Sequence, residues 1–260
     1  MRLIDSHAHL QAEAFKDDRD AVLAAARDAG LERVLVPGWN LDSSRAAVAF
    51  AASSGVDASA GIHPHDAAES DRDWHEVASL ARDPLVVAVG ETGLDYDRGF
   101  SPREDQLTNL RRHLALAGGL GKPAILHCRS KPGERDAQDD LLRELEAAGR
   151  PPALLHSFSG PIDYAEKALE MGLAISFSGL SFRTGEEVTA KVAALTPTDR
   201  FLVETDSPYL SPPGAPKRRN EPAWVRVTAQ WLAQQRGVDP EALGEQLVAN
   251  YDRVLSPRPT

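Results

Sequence analysis

Six of the eight histidines in this chain, His7, His9, His63, His65, His127 and His156, stand at the ends of short apolar or β-branched runs; His75 and His113 fall in Ala- and Leu-rich stretches. Neutral imidazole is a good ligand for borderline divalent cations, so histidines recurring at such ends point to metal chemistry. In Asp5-Ser6-His7-Ala8-His9 the two rings are two residues apart, and side-chain alternation along a strand sends both to one face. The run Leu85–Val89 delivers Glu91, a carboxylate whose two oxygens can bridge two cations. His127 closes Pro123–Leu126, and His156 closes Ala153–Leu155. Phe201-Leu202-Val203-Glu204-Thr205-Asp206 places Glu204 and Asp206 on one face, where two carboxylates in apolar surroundings require a partner or a cation.

Four imidazoles and two carboxylates exceed what one ion needs once water is counted. The expected arrangement is two divalent ions bridged by Glu91, one held by His7, His9 and Asp206, the other by His127 and His156. Paired divalent ions activate water and clamp the oxygens of a phosphoryl centre, so hydrolysis is the expected reaction. Asp206 is placed to take the proton of the attacking water, with Glu91 and Glu204 as the other catalytic candidates and Glu204 orienting a ligand or a substrate group.

These residues need a scaffold that brings strand ends together. Eight strand-like runs, Arg2–Leu10, Arg33–Pro37, Asp57–His63, Leu85–Glu91, Pro123–His127, Ala153–Ser157, Leu173–Ser178 and Phe201–Asp206, end 22 to 36 residues apart, the length of a strand–helix unit. Amphipathic stretches fill the intervals at Asp20–Ala29, Ser43–Ser53, Arg103–Leu116, Asp136–Ala148, Ile162–Met171 and Glu186–Leu195. Glu221–Gln235 and Pro240–Leu255 follow the last strand. Ser101 before Pro102 reads as a helix cap. The alternation predicts an α/β fold, a (β/α)8 TIM barrel in a single domain over residues 1–260, with the metal site at the C-terminal strand ends. An open doubly wound sheet is the competing architecture, but its glycine-rich phosphate turn is missing.

Composition narrows the function. The 260 residues are 42% apolar, with no run long enough to span a membrane, no basic-then-apolar leader and a single cysteine, Cys128. A cytoplasmic protein without a disulfide framework or cysteine-based zinc module is expected. The net charge of −10 argues against non-specific coating of duplex DNA.

In chain order, Asp5-Ser6-His7-Ala8-His9-Leu10, Gly61-Ile62-His63-Pro64-His65, Gly90-Glu91-Thr92-Gly93-Leu94-Asp95-Tyr96, His156-Ser157-Phe158-Ser159-Gly160 and Glu204-Thr205-Asp206-Ser207-Pro208-Tyr209-Leu210 resemble the TatD family of metal-dependent deoxyribonucleases. The resemblance ends with Arg219-Asn220-Glu221-Pro222 and spans almost the whole chain. It implies a metallo-dependent hydrolase barrel, divalent metal at His7, His9, Glu91, His127, His156 and Asp206, and cleavage of DNA phosphodiesters with 3'-5' polarity. The segment Cys128–Arg135 looks longer and more basic than the family's usual turn, which bears on substrate preference.

For an acidic chain to hold DNA, cationic groups must gather locally. Arg129, Arg183, Lys217, Arg218 and Arg219 follow strand ends and are the expected phosphate-binding rim, with His63 as a further substrate contact and His65 a weaker one. A monomer acting on single-stranded or frayed ends with two Mg, Mn or Zn ions is expected, because a barrel mouth admits a terminus more readily than a rigid duplex. The alternative is an amidohydrolase-like deacylase on a small ester or amide. A carboxylated lysine, the usual bridge there, has no counterpart at a strand end. A non-catalytic metal-binding scaffold would be expected to have lost ligands, and all six are present.

Overall fold

The computed structural model describes residues 1–255. Eight strands, β1 Leu3–Asp5, β2 Leu31–Val36, β3 Asp57–Ala60, β4 Val86–Asp95, β5 Ala124–Arg129, β6 Ala153–Leu155, β7 Ala174–Phe177 and β8 Phe201–Val203, neighbour one another in the sheet in their chain order. Every registered pair is parallel. Helices α1 Arg19–Asp28, α2 Leu41–Ser54, α3 Ser70–Leu80, α4 Arg103–Leu120, α5 Asp136–Ala147, α6 Ile162–Glu170 and α7 Val188–Leu195 occupy the crossovers, and α8 Val225–Arg236 and α9 Pro240–Leu255 follow β8. This is the (β/α)8 TIM-barrel order. Among the described residues, no helix is long and apolar enough to cross a membrane.

Two compact units make up the chain. The first comprises Met1–Val36, His156–Ile162 and the chain from Ala174 onward, with β1, β2, β7 and β8. Within it, β8 meets β1: Ser6 N donates to Val203 O at 3.0 Å, Asp206 N to His7 O at 2.9 Å, and Ala8 bridges Ser207 in parallel. The second comprises Pro37–Leu155 and Asp163–Leu173, with β3 to β6. Its longest strand, β4, continues four residues beyond the expected end at Glu91. Its ladder to β5 goes on through Thr92↔Leu126, Gly93↔His127, Leu94↔Cys128 and Asp95↔Arg129.

Local chemistry explains the helix ends. Asn40 and Ser43 form a reciprocal capping box at α2, and Gly55 closes that helix in the left-handed region at φ 71°. Ser101 does not cap α4; its hydroxyl donates to His65 O at 2.8 Å and accepts from Ala68 N at 3.1 Å, fastening the loop after β3. Helix α3, for which the sequence indicated only that His75 is helical, carries four charged residues, Asp71, Arg72, Asp73 and Glu76. It is held by Trp74, Val77 and Leu80 packing with Leu41 and Ile62.

Candidate metal centre

Each unit carries one group of convergent imidazoles and carboxylates. In the first, β1 runs into His7 and His9, whose Nε2 atoms stand 3.2 Å apart. His9 Nε2 is 3.2 Å and His7 Nε2 3.7 Å from Asp206 Oδ1. His156 stacks on His7 with ring centroids 4.0 Å apart and planes 13° from parallel. Candidate ligand atoms of His7, His156 and Asp206 all lie within 4.8 Å of one another.

The main chain sets this geometry. Asp5 accepts from His7 N at 3.2 Å, Thr205 N at 3.0 Å and Thr205 Oγ1 at 2.6 Å, so one buried carboxyl ties the two ligand-bearing turns together. Burial pushes that carboxyl up to about 8, against the pull of its hydrogen bonds. Asp206 and Ser157 adopt positive φ of 52° and 42°, a conformation that costs about 1 kcal/mol or more in a non-glycine residue and aims the neighbouring side chains.

Glu204 is fully buried and works through His156. Its Oε1 lies 3.1 Å from His156 Nδ1 and accepts from Ser157 Oγ at 2.5 Å. Burial raises the carboxyl, but the charge and hydrogen bond of His156 outweigh it and hold the group at about 2. Glu204 thereby orients the ring so that Nε2 could serve a cation, the usual carboxylate–histidine arrangement beside a metal. Replacing it, Glu204→Gln, is expected to weaken divalent-metal affinity about 10- to 100-fold with the fold intact, measured by metal titration; unchanged affinity would remove this role.

In the second unit, Glu91 Oε1 lies 3.3 Å from His63 Nε2 and 3.4 Å from His127 Nδ1, and the three residues present ligand atoms within 4.8 Å. The Glu91 backbone N donates to Gly38 O at 2.7 Å. Close approach of chains makes two glycines obligatory. A Cβ on Gly61 would fall 2.4 Å from the Gly90 backbone, and one on Gly93, whose φ is +137°, 1.9 Å from His127 O. Asp95, four residues beyond Glu91, accepts from His65 Nε2 at 2.8 Å, lies 3.3 Å from His127 Nε2, and accepts from the backbone N of Asp97 and Arg98. Burial raises its carboxyl, yet the hydrogen bonds from His127 and His65 prevail and keep it ionised, well below the usual carboxylate range. Burial pushes His63 down to about 4 despite Glu91 beside it, keeping the ring in the neutral form that binds a cation.

A buried polar stripe on α4 fixes this second group. Gln106 accepts from Asp95 N at 2.8 Å and donates to Asp95 O and Ser101 O. Asn109 donates to Ile62 O at 2.7 Å. His113 accepts from Ile62 N at Nε2, 3.1 Å, and donates from Nδ1 to Asn109 O, 2.7 Å. The backbone just before His63 and beyond Glu91 is held by three side chains of one helix face.

The grouping differs from that read in the sequence. His156 joins His7 and Asp206, because the turn at Ser157 and the bond to Glu204 carry it there. His63, read as a substrate contact, stands against Glu91. Asp95 was missed, although it lies four residues beyond Glu91 on the same strand, where side-chain alternation puts both on one face. Of the expected cationic rim, Arg219 is engaged elsewhere: it donates to Asp18 through both terminal nitrogens at 2.8 and 2.7 Å, to Glu221 and to Ala14 O, and lies over the Phe15 ring. Arg129 pairs with Asp97 at 2.7 Å. Arg183, Lys217 and Arg218 are exposed. Arg219→Ala is accordingly expected to lower Tm by a few degrees and to leave the salt dependence of nucleic-acid binding unchanged; a flatter salt dependence would return Arg219 to the rim. Cys128 is no nucleophile at neutral pH, since burial pushes its thiol up to about 12.

The donor chemistry fits divalent cations. Nitrogen and oxygen donors about 2.1 Å from one ion stand roughly 3.0–3.5 Å apart, and the closest separations within each group, 3.2 Å in the first and 3.3 Å in the second, are of that size. A parallel (β/α)8 barrel with imidazole and carboxylate groups in and just past the C-terminal parts of its strands defines a metallo-dependent hydrolase. Residues 4–256 match the family described as TatD related DNase, and the chain belongs to that family of phosphodiester hydrolases. A protein from Erwinia billingiae named 3'-5' ssDNA/RNA exonuclease TatD is 39% identical, over 97% of this chain and 98% of its own. The crystal structure of a TatD homologue from Escherichia coli superposes with TM-score 0.88 at 28% identity, covering 99% of both chains. A TatD family hydrolase from Entamoeba histolytica shares the fold at TM-score 0.89 and 22% identity, again over 99% of both chains.

Proposed function

We propose that this protein is a divalent-metal-dependent 3'-5' exonuclease acting on single-stranded DNA or frayed DNA ends. The observation that carries the reading is the pair of imidazole–carboxylate groups at strand ends, supported by relatives whose names specify 3'-5' ssDNA/RNA exonucleases. His7, His9, His156 and Asp206 would hold one ion, and His63, His127 and Glu91 a second. Bound there, Mg, Mn or Zn would supply Lewis acidity and an activated water. Asp206 Oδ1 accepts the proton of the attacking water, Glu204 keeps His156 aligned, and Asp95 keeps His127 and His65 aligned. Exposed Arg183, Lys217 and Arg218 draw in phosphates. A single-domain, monomeric, cytoplasmic enzyme completes the proposal.

The test uses chelator-treated protein resupplied with Mg, Mn or Zn and challenged with single-stranded DNA labelled at either end, single-stranded RNA, and small esters and amides. Stepwise shortening from the 3' end is expected. Turnover of the esters or amides without any nucleic acid would replace the exonuclease with a deacylase.

A further inference from the structure

Two of the large apolar side chains are far more exposed than burial energetics favours, and both are aromatic: Phe100 at 68% and Tyr209 at 59%. Each edges onto a histidine of one group. Phe100 lies 4.7 Å from His65, centroid to centroid, at 81°, and Tyr209 lies 5.9 Å from His9 at 71°. Each is also rigidly carried. Phe100 is followed by the buried Ser101, whose hydroxyl is fastened to the His65 backbone, and Tyr209 N donates to Asp206 O at 2.8 Å. Exposed cations neighbour both in sequence, Arg98 and Arg103 beside Phe100, Lys217 and Arg218 in the loop that carries Tyr209.

We infer that Phe100 and Tyr209 are nucleobase-stacking subsites, one serving each metal-binding group. The inference rests on the exonuclease reading and names how that site recognises its substrate. The physical need follows from charge. A chain at −10 gains little from its overall field on a polyanion, whereas base–aromatic stacking is indifferent to charge and to sequence. A ring held at the edge of an imidazole in or beside a candidate metal group places the base next to the phosphate under attack. It also favours unstacked single strands, whose base faces are available, over paired duplex.

The test compares wild type, Phe100→Ala, Phe100→Leu, Phe100→Trp, Tyr209→Ala and Tyr209→Phe on a single-stranded oligodeoxynucleotide and on the same strand with abasic sites at its 3' end. Binding is read by fluorescence anisotropy in chelator, and cleavage after metal is restored. Each alanine variant is expected to weaken binding of the base-bearing strand about 5- to 100-fold. Phe100→Trp and Tyr209→Phe restore binding; Phe100→Leu does not, because it keeps apolar area without a π face. On the abasic strand wild type and variants converge, and KM moves more than kcat. Equal losses on both strands, or none on either, overturn the stacking subsites. If wild type prefers the base-bearing strand but cleaves no strand with any metal, stacking stands and the exonuclease reading falls.

Discussion

Asp206→Asn is expected to abolish most hydrolysis, lowering kcat/KM about 10²- to 10⁴-fold, and to reduce bound divalent metal. In the group it belongs to, His7, His9 and His156 offer imidazole nitrogens, so Asp206 brings the carboxylate that offsets a cation's charge. It is also the oxygen proposed to receive the water's proton, so one amide removes both a ligand and a base. Asparagine is chosen because it tolerates the left-handed backbone at φ 52°, where alanine would add strain of its own. Metal content by mass spectrometry, set against kcat/KM on an end-labelled oligonucleotide, checks it. A variant with full metal and full turnover would remove Asp206 from the site.

Gly93→Ala is expected to destabilise the fold by at least about 3 kcal/mol, a fall in Tm of about 6–12 °C, if the protein accumulates at all. Two effects coincide there. The added Cβ needs φ +137°, a region closed to L side chains, and it would sit 1.9 Å from His127 O. The obstruction is main chain, so no rotamer relieves it. Strands β4 and β5 would have to part where Gly93 pairs His127, moving a candidate metal-binding imidazole with them. Gly121→Ala is the control, with φ +63°, nothing within 4 Å of the position its methyl group would take, and a cost of about 1 kcal/mol. Similar melting temperatures for the two variants would show that conformational freedom, not the close approach, matters at Gly93.

The barrel was legible because its signal is repeated. Eight apolar runs at strand–helix spacing each returned a strand, and the eight helical stretches each returned a helix. What sequence obscured was where a strand stops and which chain its end meets. Strand β4 passes Glu91 because the ladder to β5 joins peptide groups, whatever the polarity of the side chains they carry. The approach of His156 to His7 depends on a left-handed Ser157 and on Glu204, contacts 47 and 48 residues apart along the chain. Arg219 looked like a phosphate ligand because basic residues after a late strand suit that role; only the fold shows Asp18, about two hundred residues earlier, lying under it.

The side chains of Gln106, Asn109 and His113 take hold chiefly of peptide groups, with Thr92 Oγ1 as a side-chain acceptor. Natural drift can therefore alter the residue type at position 62 while that turn keeps its shape, so long as the helix keeps its phase. Inserting one residue between Gln106 and Asn109 would turn one part of the stripe by about 100° relative to the other and release a loop that no point substitution in it could free. Length, more than identity, is what lineage change in α4 must preserve.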